Sequence, residues 1–173
     1  MILVALGSNL PSIAGESRST LEAATASLDT GPTNVVARSR VYRSAPVPPS
    51  GQPDFMNAVI ALSSTLAPES LMDRLHTVET QFGRRRRDRW EARTLDLDLI
   101  DYHQFVTIGA SHPETPDWPV GALVLPHPRM HQRAFVLRPL LDIVPNWVHP
   151  LLQVSARALL DTLGDDQICE PIP

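Results

Sequence analysis

The sequence predicts an α+β fold, a ferredoxin-like sandwich in which a mainly antiparallel sheet is flanked by helices. Its strand and helix signals follow the order strand, helix, strand, strand, helix, strand, with further helices near the end. The two consecutive strands in the middle lack the long crossover that parallel pairing needs, which favours an antiparallel sheet. With 173 residues, 43% of them hydrophobic, the chain suits a single domain over 1–173. We expect residues 164–173 to fray.

The first strand and the first helix have clear start and stop signals. Residues 1–6 are mostly aliphatic and end at the turn formers Gly7-Ser8-Asn9, which indicates a short buried strand. In the alanine-rich stretch 16–29, apolar residues recur at spacings of three and four, as on one face of a helix. Gly31-Pro32 then ends this helix.

Two strands are predicted next, over 35–42 and 55–62, because both stretches are rich in β-branched and other apolar residues. The segment 44–53 between them contains too many prolines to join a hydrogen-bonded ladder. We therefore expect a loop there.

The second helix is predicted over 66–82. Pro68 is tolerated at a first helical position, and the Glu69 carboxylate suits the positive end of the helix dipole. Gly83 ends the apolar stripe. After an arginine-rich segment, residues 94–102 alternate in polarity and predict a further strand.

The last third of the chain predicts two helices after an irregular connection. Residues 103–125 are rich in proline and glycine and fit no period. The two helices are expected over 129–143, closing before Pro145, and over 151–163, closing at Gly164.

Composition excludes several classes of function. All 15 basic residues are arginine, against 19 acidic residues and a net charge of −4. This removes mechanisms that need a lysine, such as a Walker A loop or a Schiff base, and gives no global attraction to nucleic acid or anionic membranes. Cys169 is the single cysteine, so no disulfide forms within the chain. The apolar run 2–6 is too short for a signal peptide and no stretch has transmembrane length, so we expect a cytoplasmic protein.

The paired aspartates of the segment Thr94-Leu95-Asp96-Leu97-Asp98-Leu99 are the most informative feature. Alternate side chains of a strand face opposite ways, which places Asp96 and Asp98 on one face with Cα atoms about 6.6 Å apart. Two adjacent carboxylates repel unless a cation neutralises them, and Mg²⁺ prefers such hard oxygen ligands. A solvated sheet face with no metal is the alternative.

An arginine run precedes the aspartates. Six arginines lie between positions 84 and 93, opposed by Asp88 and Glu91. Guanidinium groups bind phosphate oxygens in pairs and stay charged, so this loop could hold a polyphosphate near a carboxylate-bound metal. Trp90 within the run suggests a lid that closes over a flat ligand. A merely solvated loop is the alternative.

A third cluster lies at 126–135. His127 and His131 are four residues apart, but Pro128 interrupts a helix between them and no glutamate stands where a zinc-binding HExxH motif needs one. A better interpretation places His127 and Arg133 near phosphate.

Four motifs in this order resemble the 6-hydroxymethyl-7,8-dihydropterin pyrophosphokinases of folate biosynthesis, over roughly residues 2–145. They are Gly7-Ser8-Asn9-Leu10; Tyr42-Arg43-Ser44 with Gln52-Pro53-Asp54-Phe55-Met56-Asn57-Ala58; Arg89-Trp90 with Arg93-Thr94-Leu95-Asp96-Leu97-Asp98-Leu99; and Pro126-His127 to Arg133-Ala134-Phe135. The third followed by the fourth is a highly specific combination, whereas the first alone would be weak.

The resemblance implies that ATP gives its β,γ-diphosphate to the pterin hydroxymethyl oxygen and leaves as AMP. It implies two Mg²⁺ ions on Asp96 and Asp98, and ATP as co-substrate. The positions that match catalytic residues are Arg84, Arg93, Asp96 and Asp98. Those that match ATP contacts are His76, Glu79, Arg84, Arg86, Trp90, Arg93, Leu99, His127 and Arg133.

For the pterin, the resemblance implies a ring stacked between Phe55 and Phe135, with Asn57 at its amide edge. A flat heterocycle needs aromatic faces and a few fixed polar groups, which agrees with these residue types. The positions matched to pterin contacts are Gly7, Ser44, Ala45, Val47, Phe55, Asn57, Trp90, Asp96 and Phe135.

Two other function classes are weighed against this one. An RNA-binding ferredoxin-like module would use the arginine loop and exposed aromatics, and its binding would fall with salt without needing Asp96. A magnesium-dependent phosphohydrolase would release phosphate without a pterin. We expect a monomer that binds small-molecule substrates and neither nucleic acid nor membrane.

Overall fold

The computed structural model describes residues 1–47, 49–84, 92–107, 122–164 and 167–173. Within these ranges the strands are β1 (Ile2–Ser8), β2 (Thr33–Arg38), β3 (Tyr42–Ser44), β4 (Phe55–Ser64), β5 (Asp96–Tyr102) and β6 (Cys169–Pro171). The α-helices in the same ranges are α1 (Ser17–Leu28), α2 (Pro68–Gln81), α3 (Ala134–Ile143) and α4 (Ala156–Asp161). A 3₁₀ turn, Met130–Gln132, precedes α3.

The strands form one antiparallel sheet in the order β5-β1-β4-β3-β6, with β2 also paired to β4. β1 lies between β4 and β5 and runs antiparallel to both. The units β1-α1-β2 and β4-α2-β5 therefore interlock as the two halves of a ferredoxin-like sandwich, to which β3 and β6 are added. The predicted fold class is confirmed.

Helices cover both faces of the sheet. Alternation along β1 sends Ile2 and Val4 into a core shared with α1 and α2. Leu3, between them, enters a second core beneath α3 and α4. The sheet is thus the middle of three layers.

The prediction of one continuous strand over 35–42 is wrong, because the structure divides this stretch into β2 and β3. Between them, the Ser39 N–H donates to the Val59 carbonyl at 2.9 Å. The Val59 N–H in turn donates to the Ser39 hydroxyl, also at 2.9 Å. A side-chain oxygen thus replaces a backbone acceptor and interrupts the regular ladder, while both halves still pair with β4.

The two C-terminal helices are shorter than the predicted 129–143 and 151–163. Extended backbone at Arg133 (φ −128°, ψ 106°) separates the 3₁₀ turn from α3. α4 begins only after Ser155, whose hydroxyl accepts the Ala158 N–H at 3.2 Å and so caps the helix. Among the described helices, none is long and apolar enough to cross a membrane.

The expectation that residues 164–173 fray is wrong for the described part of that segment. Residues Cys169–Pro171 form β6, which pairs with β3 in the register Ser44↔Cys169. Cys169 is buried against Tyr42 and Ala134. The long-range pairing and this apolar contact hold the segment in place.

A buried histidine in the turn before α4 makes stability sensitive to acid. His149 is fully buried, and its Nδ1 accepts backbone N–H groups from Leu151 at 3.3 Å and Leu152 at 3.1 Å. Its ring meets those of Trp147 and His131 edge to face. Burial, assisted by the charge of His131, lowers the pKa of His149 from 6.5 to about 4. The folded protein therefore holds the neutral ring.

Acidification from pH 7 to pH 5 should lower the free energy of unfolding by about 2 kcal/mol through His149, because the unfolded chain binds the proton below its pKa of about 6.5 and the folded chain does not. Urea unfolding at pH 7, 6 and 5 measures this, and His149→Asn should flatten the dependence. His103→Asn, at an exposed histidine, is the control. An unchanged pH dependence in His149→Asn would contradict the assignment.

Candidate active site

The paired aspartates lie on β5 as the alternation predicts. Leu97 and Leu99 are buried in the core beneath α1 and α2, whereas Asp96 and Asp98 face the α3 side and remain partly exposed. Opposite them on β1 stand Gly7, paired with Asp96, and Ala5, paired with Asp98. These small residues leave room in front of the carboxylates.

Two arginines converge on Asp96. Arg93 forms an ion pair with one carboxylate oxygen, and Arg84 contacts the other at 2.5 Å. Arg84 also pairs with Glu79, which is 1% exposed and accepts the Leu97 N–H at 2.8 Å. Arg84 thus links the carboxylate of α2 to the aspartate of β5.

Asp98 faces a second pair of basic groups. His127 Nε2 lies 4.0 Å and Arg133 Nη1 lies 3.7 Å from its Oδ2 atom. Burial raises the pKa of Asp98, but the charges of protonated His127 and of Arg133, Arg93 and Arg84 lower that pKa more. Burial lowers the pKa of His127. The ring is therefore neutral at pH 7, and the permanent guanidinium charges keep Asp98 ionised there.

The pterin residues implied by the resemblance gather beside the aspartates. Asn57 on β4 is 4% exposed and its Nδ2 donates to the Ser44 hydroxyl at 3.0 Å. In the strand register, Asn57 stands opposite Gly7, and Phe55 stands opposite Ser44. A Cβ on Gly7 would lie 3.6 Å from Asn57 Oδ1, so Gly7 and the Asn57 side chain lie within van der Waals reach of each other.

Three more of these residues occupy the rim. Ala45 and Val47 are exposed, and both follow Ser44 at the end of β3. Phe135, on the first turn of α3, lies beneath the Arg133 guanidinium, 5.5 Å from its ring centroid. This stacking brings together the residue predicted to bind phosphate and one of those predicted to bind the pterin.

The remaining predicted ligand contacts have less direct support from the geometry of the site. Leu99 is 2% exposed, so a ligand would reach its backbone rather than its side chain. His76 is half-buried on α2. A nucleoside contact by Glu79 stays a prediction. It requires the buried Glu79 carboxylate to break its contacts with Leu97 and Arg84. The predicted roles of Arg86 and Trp90 fall on residues outside those the structure describes.

Asn9 is a site residue that sequence reasoning missed. It is buried, and its Oδ1 accepts the Arg93 N–H at 2.7 Å while its own N–H donates to the Arg93 carbonyl at 3.0 Å. Its Nδ2 donates to Gln52 Oε1 and to the Pro53 carbonyl, both at 3.2 Å. Asn9 therefore ties the end of β1 to Arg93 and to the loop before β4. Its place after a buried strand indicated only a turn.

The donor set fits Mg²⁺. Groups of three or more His, Cys, Asp or Glu side chains that could hold a metal are absent from the described residues. Two adjacent carboxylates are nevertheless a usual protein contribution to a magnesium site, because this ion keeps waters and takes its other ligands from substrate phosphates. The surrounding arginines suit those phosphates.

The site combines carboxylates that suit a divalent cation, guanidinium groups that suit phosphates, and aromatic rings at the rim. This combination defines a phosphotransferase site. Residues 3–145 match the family model described as 7,8-dihydro-6-hydroxymethylpterin-pyrophosphokinase (HPPK). The chain belongs to this family, and it is an ATP-dependent diphosphotransferase.

Similar proteins of two bacteria are also named as pyrophosphokinases. The chain is 41% identical over 146 residues to a Pseudomonas aeruginosa 2-amino-4-hydroxy-6-hydroxymethyldihydropteridine pyrophosphokinase, with 84% of this chain and 81% of the relative covered. It is 35% identical over 151 residues to the Haemophilus influenzae protein of that name, with 87% and 86% covered.

The fold is similar to that of solved HPPK-DHPS chains. A Plasmodium falciparum HPPK-DHPS structure matches with a TM-score of 0.66 at 12% identity. The match covers 92% of this chain and 43% of the solved one, so this chain spans less than half of that length.

Proposed function

We propose that this cleft transfers the β,γ-diphosphate of ATP to 6-hydroxymethyl-7,8-dihydropterin, with the residue roles set out below. The hydroxymethyl oxygen attacks the β-phosphorus, the bond from that phosphorus to the α,β-bridging oxygen breaks, AMP leaves and the hydroxyl proton is released. The products are AMP and the pterin diphosphate of folate biosynthesis. The observation that carries the proposal is the convergence of Arg84, Arg93 and Arg133 on Asp96 and Asp98 beside the buried Asn57.

Asp96 and Asp98 hold two Mg²⁺ ions in this proposal. Bound magnesium supplies charge neutralisation for the triphosphate, and it brings ATP to the carboxylates. Asp96 must then exchange its contacts with Arg84 and Arg93, which become free to bind phosphate oxygens. Both arginines already lie at the aspartate, so the exchange needs only local movement.

The other basic groups bind ATP from the α3 side. Arg133 and a neutral His127 reach toward Asp98, so both would be available to phosphate oxygens of an ATP molecule whose magnesium Asp98 would hold. The nucleotide site is lined along α2 and β5 by His76, Glu79 and Leu99. Arg86 and Trp90 complete the nucleotide site from the arginine loop.

Phe55 and Phe135 stack on the pterin while Asn57 binds its amide edge. The Asn57 Nδ2 atom donates to the Ser44 hydroxyl and to the Phe55 carbonyl, so the Asn57 Oδ1 atom is oriented before the ligand arrives. Ala45 and Val47 contribute backbone groups, and Trp90, which lies outside the described residues, is assigned to the pterin on the resemblance alone.

The proposal also covers organisation and partners: residues 1–173 form a single domain that acts as a monomer in the cytoplasm, with ATP and the pterin as its small-molecule ligands and neither nucleic acid nor membrane as a partner. Its net charge of −4 supports the absence of nucleic-acid binding.

Incubation with ATP, Mg²⁺ and 6-hydroxymethyl-7,8-dihydropterin, followed by separation of AMP from ADP, tests the chemistry. AMP should form only with both pterin and Mg²⁺, and EDTA should abolish it. ADP as the product would contradict diphosphate transfer. Phosphate release without pterin would favour a phosphohydrolase, and salt-sensitive RNA binding without turnover would favour the binding module.

A further inference from the structure

Gln167, in the C-terminal segment, forms hydrogen bonds to the backbone on both sides of Arg133. Its Oε1 accepts the Ala134 N–H at 3.0 Å, and its Nε2 donates to the Gln132 carbonyl at 3.1 Å. Gln167 lies beyond residues 3–145, which match the family, and no sequence motif pointed to it.

These two hydrogen bonds fix the direction of the Arg133 side chain. The Gln132 carbonyl belongs to the peptide plane before Arg133, and the Ala134 N–H belongs to the plane after it. Peptide planes are rigid, so the relative orientation of these two is set by the φ and ψ angles of Arg133 alone. One side-chain amide bound to both planes therefore restrains both angles.

Arg133 needs such a partner because it occupies the N-cap of α3 without capping it. Its carbonyl accepts the first helical bonds from Val136 at 3.1 Å and Leu137 at 3.0 Å, but its side chain makes no cap bond. A guanidinium group has no acceptor to offer the free N–H groups of a helix start. Gln167 accepts one of them instead, and the Arg133 guanidinium extends toward Asp98 and over Phe135.

The segment that carries Gln167 is itself anchored. Two residues further on, Cys169 begins β6 and is buried against Tyr42 and Ala134. The Gln167 N–H also donates to the Gly164 carbonyl at 3.3 Å. The amide is thus presented to Arg133 from a fixed support.

We propose that Gln167 is a positioning residue for catalysis, which orients Arg133 for the phosphates of ATP by restraining the two peptide planes that flank it. This inference rests on the proposed role of Arg133 in binding ATP. It predicts that loss of Gln167 weakens nucleotide binding through Arg133 and through no other group.

The test measures affinity for a non-hydrolysable ATP analogue with Mg²⁺ by calorimetry, at a temperature where thermal melts show each variant folded. Gln167→Ala should weaken binding about three- to tenfold, the size of one or two net hydrogen bonds. Gln167→Glu keeps the acceptor for the Ala134 N–H but loses the donor to Gln132, so it should retain helix stability and still lose about threefold in affinity. Ile168→Ala, at the exposed neighbouring residue, should match the wild type.

A double-mutant cycle separates positioning from general destabilisation. In an Arg133→Ala background, Gln167→Ala should cause no further loss of nucleotide affinity. Additive losses, or wild-type affinity in both Gln167 variants while Arg133→Ala binds weakly, would overturn the inference and leave the proposed function standing. Unchanged affinity in Arg133→Ala would overturn the proposed role of Arg133 and this inference with it.

Discussion

Asp98→Ala should lower kcat/KM for diphosphate transfer by about 100- to 1000-fold while the protein stays folded, an effect comparable to the removal of one electrostatic stabiliser from an active site. Asp98 is the carboxylate that faces His127 and Arg133, so the proposed magnesium site and the basic groups of the α3 side would both lose a partner. Asp98→Asn, which keeps the shape and removes the charge, should be nearly as defective.

The fold should tolerate the change because two opposing effects are removed together. The Asp98 carboxylate repels Asp96 and attracts Arg133, and its side chain is 34% exposed. Partly exposed ion pairs contribute about 0 to 1 kcal/mol. We therefore expect the free energy of unfolding to change by less than about 1 kcal/mol.

Steady-state assays of AMP formation and urea unfolding measure these expectations for Asp98. Asp73→Ala, the same substitution at an exposed position of α2, should match the wild type in both of them. Turnover within tenfold of the wild type in a folded Asp98→Ala protein would contradict the metal assignment. If Asp98→Ala loses turnover and also unfolds, the turnover of the Asp98→Asn variant decides the metal assignment.

The aspartate face of the site could be predicted from the sequence because it depends on local geometry. Strand alternation alone places Asp96 and Asp98 on one side and Leu97 on the other, whatever the sheet packs against. The helices α1 and α2 could be located for a similar reason, since their apolar spacing and the stop signals just beyond them, Gly31 and Gly83, are encoded within the segments themselves.

The contacts that orient the site could not be predicted, because each joins residues far apart in the chain. Asn9 and Arg93 are 84 residues apart, and Ala134 and Gln167 are 33 apart. A glutamine in a polar tail has no periodicity that reveals a backbone partner. The pairing of β6 with β3 was missed for the same reason, and the break at Ser39 depends on one hydroxyl group taking the place of a backbone acceptor.

Arg93→Ala should slow the chemical step by on the order of 100-fold and change pterin affinity by less than about twofold. The arginine is held through its backbone: Asn9 bonds to both its N–H and its carbonyl, and Asn9 also bonds to Pro53 in the loop before β4. None of these bonds uses the guanidinium. Truncation therefore removes the phosphate contact and leaves the frame around the pterin intact.

The split between chemistry and binding identifies the role of the guanidinium. Single-turnover rates and pterin titrations separate the two quantities. Arg93→Lys keeps the charge but loses the two-pronged geometry, so it should recover only part of the rate if paired contacts to phosphate oxygens matter. Arg157→Ala, at an exposed position of α4, is the matched control. If the Arg93→Ala variant is defective only in pterin affinity, Arg93 contacts the pterin and not the phosphates. The phosphate contact would then be assigned to Arg84, which contacts the same aspartate.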